Sequence, residues 1–95
     1  MKTTNTAENA APVIDDYVIL RDLIEYISHA LVDDPRNVRT RIVGAEQSCI
    51  IELHVDRKDV GKVIGKGGQT AKALRKILSA AATKLNKKAH LEIIE

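Results

Sequence analysis

The sequence predicts an α+β fold: one small domain in the order α-β-β-α-α-β, with a three-stranded sheet covered by helices on one face. Three observations predict it. A run of apolar residues at three- and four-residue steps opens the patterned part of the chain, two β-prone runs follow it around a short glycine turn, and a glycine-dense loop then separates a short helical pattern from a long one before a last β-prone run. At 95 residues the chain suits one domain with an adequate core.

Residues 1–14 are expected to form a flexible tail, rich in Thr, Asn and Ala, without a period and carrying Pro12; residues 15–95 form the domain. Asp15 or Asp16 is placed to cap the first helix, in which Leu20, Leu23, Ile24, Ile27, Ala30 and Leu31 make an apolar stripe. That helix should end near Asp33, because Pro35 disfavours helix at the residue before it. The next segment, NVRTRIVGAEQSCIIELHV, reads as a hairpin turning at Gly44, Ala45 and Glu46. In its second strand Cys49, Ile51, Leu53 and Val55 alternate with Ile50, Glu52, His54 and Asp56, so one face is buried. Asp59 can cap a short helix that the glycine loop stops. In the long helix Ala71, Leu74, Ile77, Leu78, Ala81 and Leu85 share a stripe opposite Lys72, Lys76, Ser79 and Thr83, with Arg75 on the flank. AHLEIIE closes the chain as a strand.

Composition narrows the function. Hydrophobic residues at 44% against 29% charged describe a globular chain. The net charge of +2 conceals a division: residues 1–56 hold five cations against ten acids, net −5, and residues 57–95 hold ten against three, net +7. Such a split suits a polyanionic partner, nucleic acid before anionic membrane, although lysines that only solvate a helix give the same count. Cys49 is the one cysteine and sits in an apolar run, so it reads as a buried thiol in a reducing compartment. No apolar stretch approaches the roughly 20 residues that span a bilayer, and the N-terminus lacks a signal-peptide core. A cytoplasmic location is the expectation. His29, His54 and His90 fall on three elements without metal-ligand spacing, and no Ser or Cys has a visible base partner. Neither an enzyme, nor a cofactor, a metal or a small-molecule substrate is indicated.

The stretch VGKVIGKGGQTAKALRKIL holds four of the five glycines within eight residues. A Walker A loop needs four residues between its first Gly and Gly-Lys-Ser/Thr; Gly61 and Gly65 enclose three, and Gly67 follows Lys66 where a hydroxyl is required. A dinucleotide fingerprint beginning at Gly65 needs glycine where Thr70 stands, and a strand before it. What remains is Gly65-Lys66-Gly67-Gly68 between two helices. Its amides, the positive end of the following helix and Lys66 suit a sugar-phosphate chain. An isolated G-x-x-G is equally consistent with a helix-helix turn that holds nothing.

The motif is not isolated. VIGKGG after two strands, with QTAKALRKIL opening the next helix, resembles a KH domain, whose G-x-x-G loop clamps about four nucleotides of single-stranded nucleic acid. The element order is similar to that of the type II, bacterial version. YISHALVDDP, DVGKVIGKGGQTAKALRKIL and SAAATKLNKKAHLEIIE resemble the small KhpA family of bacterial RNA-binding proteins, over roughly Tyr17 to Ile94. Two departures are visible: Gln69 stands where the family often has a basic residue, and the segment before the first helix is longer than expected. The resemblance implies that Gly65, Lys66, Gly67 and Gly68 hold a single-stranded RNA backbone. Val60, Val63 and Ile64 would then form the floor of a groove or the core beneath it, and Lys62, Lys72 and Arg75 would supply further phosphate contacts. With Tyr17 and Tyr26 as the only aromatics, base stacking on a sheet is not available. The resemblance also implies a homodimer or a heterodimer with a second KH-domain protein, and RNA-chaperone or post-transcriptional work linked to cell-envelope and cell-shape control. The competing reading is a protein-interaction module on a KH scaffold, using the loop and the alanine-rich helix around Ala80, Ala81 and Ala82.

Overall fold

The computed structural model describes residues 13–44 and 47–95, with side chains from Asp16 onward. The expected tail lies outside the described residues except for Val13 and Ile14, which begin the first helix, α1 (Val13–Leu31). Asp15 and Asp16 therefore lie within its first turn and do not precede it, a position that still suits the positive end of the helix. Tyr17, Leu20 and Ile24 are buried, with Ile27 and Leu31 packed beside them. Ala30, expected on the stripe, is exposed, and Tyr17 and Ser28 are buried instead. Pro35 stops any continuation by opening a single tight turn, Pro35–Asn37.

Strand β1 (Arg39–Gly44) pairs antiparallel with β2 (Ser48–His54), Arg39 opposite His54 and Gly44 opposite Cys49. The expected hairpin is present; Ala45 and Glu46 lie outside the described residues. Strand β3 (Lys88–Ile94) pairs parallel with β2, Ser48 opposite Lys88 and His54 opposite Ile94, so β2 is central in the order β1-β2-β3. Two parallel neighbours cannot be joined by a tight turn. The crossover is made by α2 (Val60–Ile64) and α3 (Gln69–Lys84), and it lays α3 across the sheet.

Cys49, Ile51 and Leu53 on β2 and Leu91 on β3 face the helices, and they meet Leu20 and Ile24 of α1, Val63 of α2 and Leu74, Leu78 and Ala82 of α3 in one core. Burial pushes the Cys49 thiol pKa up, which keeps it protonated and unreactive. The stripe on α3 differs from expectation at one position: Ile77 is 44% exposed and Ala82 is buried. At 100° per residue Ile77 falls well off the centre line of Ala71, Leu74, Leu78 and Ala82, on the opposite flank from Arg75. Helix α3 ends with Asn86 at φ 59°, while Lys87 N–H donates to the Ala82 carbonyl at 2.8 Å and Asn86 N–H to that of Thr83 at 2.9 Å. This is a Schellman termination with asparagine in the left-handed position.

Candidate nucleic-acid interface

The glycine loop is a connection with almost no free length. Helix α2 is stopped by Gly65 at φ 78° and ψ 169°, one tight turn spans Lys66–Gly68, and α3 begins at Gln69. Gly67 and Gly68 are left-handed, at φ 63° and 76°. The glycines are not equivalent. A Cβ on Gly65 would run into the Thr70 hydroxyl and come within 2.8 Å of the Thr70 amide nitrogen, whereas one on Gly67 would meet nothing within 4 Å. Gly65 is therefore required by packing and by backbone angle; Gly67 is required by angle alone and leaves an open approach over the turn. Gly68 N–H closes the turn on the Gly65 carbonyl at 3.0 Å.

Around that turn the basic side chains take different positions. Lys66 is exposed on the turn itself, and Lys72 is exposed one turn into α3. Arg75 lies further along, its Nε donating at 3.4 Å to the Leu91 carbonyl on β3. Lys62 precedes the turn on α2, and its Nζ is 3.5 Å from Oδ2 of Asp33 just beyond α1. Val63 is fully buried and belongs to the core, Val60 and Ile64 are half-buried, and so only the latter two are available as an apolar floor.

Arg75 also marks one end of a groove of about 580 Å³ between α3 and β3, lined by Ser79 and Thr83 on the helix and by Lys88 and His90 on the strand. Strand β3 is at the edge of the sheet, so the groove runs beside backbone groups that no other strand pairs. This groove therefore has a helix for one wall and a strand for the other. Lys87 and Lys88 could have been suspected from their place before a β-prone run.

Asp59 was read as a helix cap. It occupies the N-cap position of α2, but its side chain makes no capping bond. It is fully buried, and its Oδ2 accepts the Asp34 N–H at 3.0 Å. Asp56 caps the separate tight turn Arg57–Asp59 that leads into α2, its Oδ1 accepting the Lys58 N–H at 3.1 Å. Asp59 thus anchors the base of α2, and the loop that α2 carries, to the turn after α1. Its type was visible in the sequence; its partner, 25 residues earlier, was not. Among the described residues no cluster of His, Cys, Asp and Glu could hold a metal, and no helix is long and apolar enough to cross a membrane.

A three-stranded sheet with helices on one face, and a G-x-x-G turn joining the two crossover helices, defines a KH domain. Residues 21–93 match the family described as KhpA/KhpB, KH domain. The chain is 49% identical over 75 residues to the RNA-binding protein KhpA of Clostridium perfringens, a span covering 79% of this chain and all of that protein. It is 43% identical over 74 residues to the RNA-binding protein KhpA of Borreliella burgdorferi, covering 78% of this chain and 90% of the relative. Among solved structures, Era in complex with MgGDPNP and nucleotides 1506–1542 of 16S ribosomal RNA superposes with a TM-score of 0.57 at 19% identity, over 98% of this chain and 35% of Era, a likeness of fold. The chain belongs to the KhpA/KhpB KH-domain family.

Proposed function

We propose that this protein binds single-stranded RNA, holding the sugar-phosphate backbone at Gly65, Lys66, Gly67 and Gly68. The observation that carries this reading is the coincidence of three features at one point: an unobstructed glycine turn, the positive N-terminal end of α3, and the exposed Lys66 and Lys72. The names of the relatives, which are RNA-binding proteins, support it. From the turn the strand passes over Ile64 toward Arg75 and along the groove between α3 and β3, where the free edge of β3 offers hydrogen bonds to bases. With no stacking platform and few cations at the site, binding is modest, weakly selective and sensitive to salt. In this reading the protein acts in the cytoplasm as an RNA chaperone or post-transcriptional regulator, in cell-envelope and cell-shape control, and works as a homodimer or with a second KH-domain protein.

Fluorescence anisotropy with an unstructured RNA tests the reading, comparing the native chain with the Lys66→Asp, Gly67→Asp double variant. An aspartate side chain at position 67 meets open space, and its backbone angles lie in the left-handed region that Asp tolerates, so the variant should fold. Native binding that weakens with salt, and its loss by about tenfold or more in the folded variant, is the expected result. Equal binding by both would remove the loop from the site.

A further inference from the structure

We infer that Asp33 sets the affinity of the proposed RNA site, by holding its carboxylate against Lys62 as an internal competitor of the RNA phosphate. The inference rests on the RNA-binding reading. Lys62 lies three residues before the glycine turn, yet its Nζ is 3.5 Å from Asp33 Oδ2. The contact is held by more than two exposed side chains. The neighbouring residue, Asp34, is fixed to the base of α2 through its N–H to buried Asp59. Asp34 is itself tied by Asn37, whose Nδ2 donates to its Oδ2 at 2.8 Å. The turn that carries Asp33 is thereby clamped to the helix that carries Lys62. Lys62 is 43% exposed at its side chain and Asp33 72%, so a phosphate can reach the ammonium and take the place of the carboxylate.

An exposed ion pair contributes roughly 0.2–1 kcal/mol, so releasing Lys62 should tighten RNA binding by about 1.4- to five-fold. One further neutralised phosphate should steepen the salt dependence by about 0.7 in the logarithmic slope. The experiment is an anisotropy titration of a labelled oligouridine across a salt series. It uses the native chain, Asp33→Asn, Asp33→Glu, Lys62→Gln, the Asp33→Asn, Lys62→Gln double variant, and Asp22→Asn. The last makes the same charge change and releases Arg21, which pairs with Asp22 at 2.8 Å on α1. The expected result is tighter binding and a steeper slope for Asp33→Asn alone, native binding for Asp33→Glu, and no gain from Asp33→Asn once Lys62 is gone. Native affinity in Asp33→Asn, the same gain in Asp22→Asn, or the same gain with and without Lys62 would each overturn the inference. Absence of salt-sensitive binding by the native chain would instead remove the RNA-binding reading, and this inference with it.

Discussion

Single atoms decide how the loop is held. At Gly65 the backbone angles are nearly exclusive to glycine and the space for a Cβ is occupied by Thr70, so two independent penalties act together. Gly65→Ala should lower stability by about 2 kcal/mol or more, and Gly67→Ala, which meets only the left-handed penalty, by about 1 kcal/mol. Urea denaturation of the two variants checks the order. Asp59 gives a second case. Removing its carboxylate leaves the part-buried Asp34 N–H without its acceptor, so Asp59→Ala should cost about 1–3 kcal/mol. Asp59→Asn keeps an acceptor oxygen and should cost less. The midpoint of urea unfolding for the pair separates loss of the hydrogen bond from loss of charge, since a purely electrostatic role would make the two variants alike.

At the scale of elements, α3 does two things at once. Ala71, Leu74, Leu78 and Ala82 seal the core over the sheet, while the flank bearing Arg75, Ser79 and Thr83 forms one wall of the groove. The strand forming the other wall begins only four residues after α3 ends, so the geometry of that short connection sets the groove width. Asn86 fixes it through its left-handed backbone. Asn86→Gly should be neutral or slightly stabilising, and Asn86→Val should cost about 1–2 kcal/mol because a branched Cβ is ill-suited to positive φ. Thermal unfolding of both variants provides the comparison.

In the whole molecule the charge division follows the elements. Among the described residues the acids of the first half lie on α1, in the turn after it and on or just after β2, whereas the cations of the second half lie from the end of β2 through α2, the glycine loop and α3 to the start of β3. The cation-rich segment that carries the glycine loop draws a polyanion toward it before any contact forms. A single site for about four nucleotides binds weakly, and pairing two chains raises the effective affinity without new contacts. The pairing proposed above would find an apolar strip in Ile77 and the exposed Ala73 and Ala80 beside it on α3, away from the groove flank. In sedimentation velocity the native chain is expected to run as a dimer and Ile77→Asp as a folded monomer with weaker RNA binding. A native monomer, or an unchanged dimer in the variant, would exclude this strip.

The sequence by itself determined the order of elements, the inward face of β2 and the position of the glycine turn between two helices, because each is written in local signals: the alternation of Cys49, Ile51 and Leu53, the stripe of Leu74 and Leu78, and glycines packed into a short span. It placed Ile77 in the core and gave the Asp59 side chain a capping bond, and both differ in the structure for a common reason. Periodicity names a face only to within a wide arc, and an aspartate before a helix has more than one donor to choose from. Which arc is covered, and which donor is reached, depends on chain segments distant in sequence. The parallel pairing of β2 with β3, the groove that their crossover opens beside α3, the bond from Asp59 to Asp34 and the ion pair between Lys62 and Asp33 were decided by tertiary structure alone. Each joins residues that no local pattern relates, and each exists because burying one core brings their backbones to the same place.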